Sequence, residues 1–325
     1  MNLLVLNAEA VRQLLPMGAC IGLMREAMSL VATGEALQPI RQALRHPGGQ
    51  GLLSLMPGHI ARPDRLGVKV VTVFPGNFGT AFGSHQGMVL LFETEHGAPL
   101  ALLDAREITA IRTAAATAVA TDCLARAGAR TLGVFGYGEQ AATHLEALTP
   151  LRDFSRVLVW GRDPARAMAF AAAQSERLGL DIRAASAETA GGCDVVVTAT
   201  ASTDPVFFHE WLHPGQHLNV VGSSIPTTAE IDGETMAAAR VFVDYKASAL
   251  ALAGDFARAK AQGLVDDDHL LGSIGEILVG AIPGRRSDLE ITLFKSLGMV
   301  AEDLVAADFV FGEAQRQGVG QQVEW

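Results

Sequence analysis

Thr131-Leu-Gly-Val-Phe-Gly136-Tyr137-Gly138-Glu139-Gln140-Ala141-Ala-Thr-His-Leu145 decides the fold of this chain. An apolar run of strand length, a glycine turn and a helix-forming run stand in the order that a dinucleotide-binding βαβ unit requires. Gly136 permits the tight turn, Gly138 lets the backbone approach a pyrophosphate, and Ala141 lets the helix pack close to the strand. The helix N-terminus then offers unpaired N–H groups to the phosphates. Glycine turns after strands are common, so context has to carry part of the argument. Val157-Leu-Val-Trp160 supplies a second apolar strand at βαβ spacing, and further strands are expected at 195–200, 218–222 and 241–244. Strands separated in this way by helix or loop indicate a parallel, doubly wound sheet.

The end of the second strand bears on which nucleotide is bound. An NAD site usually carries an acidic residue there to accept hydrogen bonds from the ribose 2′-OH. This chain has Trp160-Gly161-Arg162-Asp163-Pro164. Asp163 fits a helix N-cap with Pro164 at the first helical position. Arg162 is left at the loop where an adenosine 2′-phosphate would lie, and a planar guanidinium suits phosphate. The other reading of Arg162 is an ordinary solvated arginine. NADP(H) is expected over NAD(H), with NAD(H) as the alternative.

At 325 residues the chain has room for two domains. A hydrophobic fraction of 49% with 18% charged residues describes a well-buried globular protein. The formal net charge of −10, without any lysine/arginine run, argues against a nucleic-acid surface. No apolar run approaches the ~20 residues of a membrane span, and the first residues lack a signal-peptide pattern. Cys20, Cys123 and Cys193 lie far apart in apolar surroundings without a CxxC pair, as buried small hydrophobes in a reducing cytoplasm would.

Residues 9–34 show helical spacing and end at Gly34. From about residue 38 to 104 the pattern changes to β-type runs at 52–56, 67–74, 88–92 and 100–103, with His96-Gly97 turning a hairpin between the last two. Asp104-Ala-Arg-Glu107 resembles a capping box that opens an alanine-rich helix reaching about residue 126. A last helix is expected over 292–311, returning to the first domain, and the Gln-rich tail after it is expected to be mobile. The expected division is 1–122 with 297–325, and 123–296.

Two cations stand where apolar residues are expected. Alternation in Leu66-Gly-Val-Lys69-Val-Val-Thr-Val-Phe74 puts Lys69 on the same face as Val71 and Val73. On the alanine-rich helix Arg112 shares a side with Ile108, Ala116 and Val119. Each either pairs with a buried carboxylate or serves a ligand, and two such cations would make a receptor for a substrate carboxylate. Arg45, in Leu44-Arg45-His46-Pro47, is a third candidate, from a loop. His213 and His217 are separated by Pro214-Gly215 and read as a turn rather than a metal site, and Asp266-Asp267-Asp268-His269 as a solvated helix start. No GxSxG is present.

The segments Gly67-Val-Lys69, His85-Gln-Gly87-Met-Val-Leu-Leu-Phe92 and Ile108-Thr-Ala-Ile-Arg-Thr-Ala-Ala-Ala-Thr117 resemble the ornithine cyclodeaminase/μ-crystallin family. So do the GxGxxA turn, Gly222-Ser-Ser-Ile-Pro226 with Glu230-Ile-Asp232, and Thr292-Leu-Phe-Lys-Ser-Leu-Gly298. The likeness runs in order along nearly the whole chain. It implies a Rossmann domain binding NAD(P) and an α+β domain that binds substrate and pairs two subunits into a homodimer. It also implies that Arg45, Lys69 and Arg112 hold the substrate carboxylate, with Lys69 in the catalytic position. The cofactor would lie against Ser84, Thr113, Gly136 to Ala141, Gly161, Arg162, Thr198, Ala199, Thr200, Val221, Gly222 and Ser223, with Ser84 and the 222–224 backbone near the nicotinamide.

Two departures narrow the activity. Ornithine cyclodeaminases have an aspartate in the segment matching Ser223-Ser224 and an acidic residue before the Pro57-Gly58 turn, where this chain has Met56. Both negative charges that a diamino acid needs are therefore missing. The resemblance favours NADPH-dependent reduction of a cyclic 2-imino carboxylate, Δ1-pyrroline-2-carboxylate or Δ1-piperideine-2-carboxylate, to the L-amino acid, as in proline metabolism. An alanine-type amino-acid dehydrogenase and a non-catalytic binding protein of the μ-crystallin type stay open as alternatives.

Overall fold

The computed structural model describes residues 2–77, 80 and 82–324, and the chain divides into two compact units. One comprises residues 1–112 and 299–325, the other residues 113–298. The first unit opens with β1 (Asn2–Leu6), α1 (Ala8–Leu14) and α2 (Met17–Ala32). The strands β2 (Ala36–Leu37), β3 (Gln42–Arg45), β4 (Leu52–Ala61), β5 (Asp64–Val73), β6 (His85–Phe92) and β7 (Pro99–Asp104) follow, then α3 (Ala105–Leu124), inside which the boundary falls. The single helix expected over 9–34 is two helices. Pro16 has no N–H with which to continue the α1 ladder, so α2 starts afresh after it.

These strands form one sheet in the order β1-β7-β6-β5-β4-β2, with β3 also beside β4. The β1–β7 pair is parallel and the others are antiparallel. Gly97, at φ +73°, makes the expected turn between β6 and β7. The cross-strand row Met56–Lys69–Val89–Leu103 is buried on one face. The opposite face is apolar and open: Leu44 is 72% exposed, Leu66 46%, Met88 44% and Leu55 36%. Asp104 accepts from the Glu107 N–H at 2.8 Å and so caps α3, while the Glu107 carboxylate pairs with Arg12.

The second unit contains β8 (Thr131–Phe135), α4 (Glu139–Leu148), β9 (Arg156–Trp160), α5 (Pro164–Leu178), β10 (Ile182–Ala184), α6 (Ala187–Gly191) and β11 (Val195–Thr198). It continues through β12 (His217–Val220), α7 (Gly233–Ala238), β13 (Arg240–Val243), α8 (Lys246–Leu252), α9 (Gly254–Ala261), β14 (Leu270–Ser273), α10 (Ile274–Leu278) and β15 (Thr292–Lys295). All eight strands are parallel, in the order β10-β9-β8-β11-β12-β15-β13-β14. The chain order reverses at β8, as in a doubly wound dinucleotide fold. Phe135, Val196, Leu218, Val241 and Leu293 belong to its core. The helix expected from residue 292 is a strand in its first four residues. β15 slots between β12 and β13, so Thr292-Leu-Phe-Lys295 is buried along its length.

The chain then re-enters the first unit as α11 (Val300–Gln317) and β16 (Gln321–Glu324). The Gln-rich tail is not loose: β16 pairs antiparallel with β1, Asn2 opposite Glu324 through Val5 opposite Gln321. Helix α11 packs over β4, β5 and β6. Gly58 and Gly67 face each other in the β4–β5 ladder, and a Cβ on them would meet Val300 at 2.5 Å and Leu304 at 2.3 Å. These two glycines let the first turn of α11 descend onto the sheet, and that turn carries Glu302 and Asp303. No single described helix is long and apolar enough to cross a membrane.

Candidate functional site

The first unit holds a buried cluster of charges. The Lys69 ammonium, on β5, donates to Asp303 Oδ1 at 3.0 Å, and Arg112 Nε, on α3, donates to the same oxygen at 3.0 Å. Arg112 Nη1 reaches Glu302 Oε2 at 2.7 Å. All four side chains are buried. Both cations that the sequence singles out thus meet carboxylates, on adjacent residues of α11. The other carboxylate oxygen of Asp303, Oδ2, is buried and has no hydrogen-bond partner. An unfilled acceptor on a buried carboxylate is costly and is usually accounted for by a ligand, a water or a role in the chemistry. Burial pulls the Lys69 pKa down to about 8, against the pull of Asp303; Arg112 and Arg41 lower it further. Cys20 is buried too, and its thiol is pushed up by burial and by Glu302, which makes it inert.

Arg45 stands apart from this cluster. It is exposed at the far end of β3, opposite Leu52, which pairs with Val73. Arg41 precedes Gln42, and Gln42 pairs with Leu55, so the same register sets Arg41 level with Met56 and Lys69. The arginine at this end of the sheet whose charge reaches Lys69 is Arg41, just before β3. The sequence offers Arg45 as a candidate, and the pairing register that sets Arg41 level with Lys69 is not visible in it. Ser84 lies just before β6, its hydroxyl 3.0 Å from His85 Nδ1.

The second unit holds the glycine turn. Gly136 has φ +128°, and a Cβ there would stand 2.6 Å from the Ala199 carbonyl oxygen, so only glycine fits. Gly138 is the N-cap of α4, supplies no side-chain cap, and has open space on its Cβ side. Free N–H groups at a helix start, approached past a bare glycine, suit a pyrophosphate. Ala141 is buried 3.7 Å from the place of a Gly136 Cβ. Tyr137 lies against Gly161, where an added Cβ would come within 2.1 Å of its ring, and the Arg166 guanidinium sits 4.6 Å from the ring centroid. Asp163 caps α5 with Pro164 in the first turn, as expected, and Arg162 beside it is exposed. These residues fit a dinucleotide.

At the carboxyl ends of β11, β12 and β15 a second buried network gathers. Glu230 accepts from Thr198 Oγ1 at 2.8 Å, the Thr200 N–H at 2.6 Å, Thr200 Oγ1 at 2.7 Å and the Gly222 N–H at 2.6 Å. Asp255 accepts from the Glu230 and Ile231 N–H groups at 2.6 and 3.1 Å, from Ser223 Oγ, and from the Lys295 ammonium at 3.0 Å. Lys295 also donates to Ser223 Oγ at 2.7 Å. Thr198, Ser223, Glu230, Asp255 and Lys295 are all buried. Burial raises the Glu230 pKa above the usual carboxylate range, opposed by Lys295 and the Thr200 bonds. Sequence reading named Thr198, Thr200, Gly222 and Ser223 but missed the three charged residues that tie them together. Glu230-Ile-Asp232 stands there only as a segment of the family resemblance. Asp232 caps α7, whereas Glu230 belongs to the network. The lysine inside the apolar run Thr292-Leu-Phe-Lys295 is the same signal that marked Lys69.

His217 is buried on β12, bonded to Thr292 Oγ1 at 3.0 Å and Asn219 Oδ1 at 3.1 Å, with its pKa pulled down to about 3 by burial. It is a neutral core histidine. Asp266 caps a single 3-10 turn, which agrees with its reading as a helix start.

The fold and the glycine turn define a two-unit protein built around a dinucleotide-binding Rossmann sheet. Residues 1–318 match the ornithine cyclodeaminase/mu-crystallin family, and the chain belongs to it. Ketimine reductase mu-crystallin of Mus musculus is 39% identical over 280 residues, 86% of this chain and 85% of that protein. The structure of Thermococcus litoralis Δ1-pyrroline-2-carboxylate reductase in complex with NADH and L-proline matches with a TM-score of 0.96. It is 34% identical and covers 99% of this chain and 100% of that one. An archaeal alanine dehydrogenase dimer with bound NAD matches with a TM-score of 0.95 at 33% identity, over 100% of both chains.

Proposed function

We propose that this protein reduces a cyclic 2-imino carboxylate, Δ1-pyrroline-2-carboxylate or its six-membered homologue, to the L-amino acid with NADPH. The broader class is an NAD(P)H-dependent oxidoreductase acting on C=N and CH–NH bonds, like the ketimine and pyrroline-2-carboxylate reductases it resembles. The observation that carries the substrate class is the Lys69–Arg112–Glu302–Asp303 cluster. Its two cations and two carboxylates balance, which suits a ligand that is itself zwitterionic. The ring carboxylate would lie on Lys69 and Arg112, with Arg41 supporting. The iminium N–H would find its acceptor in Asp303 Oδ2, the buried oxygen without a partner.

When bound, the dinucleotide would supply a hydride for the C=N carbon. A protonated imine already holds its N–H and is electrophilic, so the side chains chiefly position it. A neutral imine would take its proton from Lys69, which the low pKa prepares to give one up, or from water. NADPH is preferred in this reading because Arg162 stands where an acid would otherwise meet the 2′-OH. A homodimer through the open sheet face, around Leu44, Leu55, Leu66 and Met88, would cover apolar surface that water otherwise meets. Sedimentation equilibrium checks that assembly.

L-Ornithine should not be cyclised. Ser223 is neutral, and the carboxylate behind it, Asp255, is already held by Lys295 and two N–H groups. A second ammonium would therefore lack a counter-charge. The test is NADPH oxidation with a panel of cyclic imino acids, with pyruvate plus ammonia, and ammonia release from ornithine. Turnover of the cyclic imines alone supports the proposal. Faster turnover of pyruvate plus ammonia makes the protein an alanine-type dehydrogenase, and tight NADPH binding with no turnover makes it a binding protein.

A further inference from the structure

Ser54 is a second open valence in the first unit. It lies on β4, two residues before Met56, and is 5% exposed. Its Oγ is buried and has no hydrogen-bond partner among the described residues. A buried hydroxyl without a partner costs stability that an alanine in its place would not.

The strand register sets Ser54 beside the charge cluster. Met56 stands opposite Lys69 and Ser54 opposite Val71, so Ser54 is the diagonal neighbour of Lys69 on the same face of the sheet. Side chains so related have Cβ atoms roughly 7 Å apart. The row through Ser54 runs Ala43–Ser54–Val71–Gly87, between Met56–Lys69–Val89 on one side and Arg45–Leu52–Val73–His85 on the other. It carries nothing larger than valine, and Gly87 has to stay bare because a Cβ there would run into the Val70 carbonyl oxygen. The one side-chain polar atom of this low row is Ser54 Oγ.

A ring whose carboxylate lies on Lys69 and Arg112 would rest its far carbons over that row. A plain pyrroline or piperideine ring has two polar groups, the carboxylate and the ring nitrogen, and Lys69, Arg112 and Asp303 Oδ2 would serve both. Its remaining atoms are methylenes, which would leave Ser54 Oγ unfilled. A hydroxyl on one of those carbons would fill it, because two hydroxyls can each donate to or accept from the other. Ala43 and Val71, which flank Ser54 in its row, are uncharged and apolar, so a neutral substituent is favoured there over a second carboxylate or an ammonium.

We propose that Ser54 is a specificity-determining residue, and that the preferred substrate is a cyclic 2-imino carboxylate carrying a hydroxyl group on a ring carbon. The inference rests on the reading of Lys69 and Arg112 as holders of the ring carboxylate.

The experiment is calorimetric titration of the full-length protein in saturating NADPH, where an amino acid binds without hydride transfer. The ligands are L-proline and its 3-hydroxy and 4-hydroxy derivatives, each in cis and trans form, and the proteins are wild type and Ser54→Ala. Wild type should bind one of the hydroxylated prolines about fivefold more tightly than L-proline, the size of one neutral hydrogen bond. Ser54→Ala should bring the two affinities level. Thermal unfolding without ligand gives a second readout: Ser54→Ala should melt no lower than wild type, since it deletes a hydroxyl that the fold does not use. A lower melting temperature would mean that Ser54 Oγ is bonded within the fold, and it would overturn the proposal. A preference that persists in Ser54→Ala, or L-proline bound as tightly as every hydroxylated form, does the same. Binding of L-proline alone removes this inference and keeps the ring-carboxylate reading, whereas binding of none of these amino acids removes both.

Discussion

Two buried charge clusters of similar make-up behave as opposites. In the first unit, Lys69 and Arg112 meet Asp303 and Glu302 with charges in balance, yet one carboxylate oxygen of Asp303 has no partner. In the second, around Glu230, Asp255 and Lys295, each carboxyl group is met by four hydrogen-bonding partners. Hydrogen-bond saturation describes a fixed part of the scaffold. Charge balance with an acceptor left over describes a place that a small molecule can complete. What separates the proposed binding site from a brace here is whether an acceptor remains open, not how many charged groups are buried.

The contrast is easiest to break at Asp303. Asp303→Ala leaves Lys69 and Arg112 facing each other in a closed pocket, and removing one partner of a buried ion pair costs on the order of 3–5 kcal/mol. Urea unfolding should show that loss. A cost near zero would mean that water reaches these cations and that the cluster is not the dry receptor described above.

Lys69 gives a second handle, with two signs to check. Its pKa in the folded chain is about 8, against an ordinary 10.5. Between those values the unfolded chain binds more protons, so rising pH stabilises the fold as far as Lys69 is concerned. Reduction needs the charged ammonium, so kcat/KM should be flat below about 8 and fall above it. Activity and stability should thus move in opposite directions above about pH 8, and Lys69→Arg should remove the basic limb of the activity profile. A limb that persists in Lys69→Arg belongs to another group.

The smallest effect concerns Arg162, exposed beside the α5 cap. Arg162→Ala should raise the KM for NADPH about tenfold, the loss of a charge-assisted hydrogen bond of roughly 1.5 kcal/mol, and leave NADH nearly unchanged. A wild-type protein that already prefers NADH contradicts the assignment.

The second unit was the more legible of the two. Gly136, Gly138 and Ala141 act locally, and strand, turn and helix are neighbours in sequence, so the dinucleotide fold could be read from one stretch. The capping residues Asp104 and Asp163 were legible for the same reason. What escaped depended on distant partners. Asp303 lies 234 positions from Lys69, and nothing near either residue announces the other. Arg41 rather than Arg45 stands level with Lys69 because of a strand register. The sequence predicts helix at 292–295, where the structure has a strand, because four apolar-flanked residues have no period of their own when a helix follows close behind. With that strand misread, Lys295 was never placed against alternation, and the network around Asp255 stayed out of sight.

The central claim is that Lys69 and Arg112 hold the ring carboxylate, and a substrate lacking that group tests it most directly. Wild type and Arg112→Lys should each be assayed for NADPH-dependent reduction of Δ1-pyrroline-2-carboxylate and of Δ1-pyrroline, the same ring without the carboxylate. Lysine keeps the charge for Glu302 and Asp303 but cannot reproduce the guanidinium fork. Arg112→Lys should therefore lose on the order of 1.5–3 kcal/mol in kcat/KM on the carboxylated imine and almost nothing on the bare ring. An equal loss on both substrates would mean that Arg112 only braces α11 against α3, and that the carboxylate is held elsewhere.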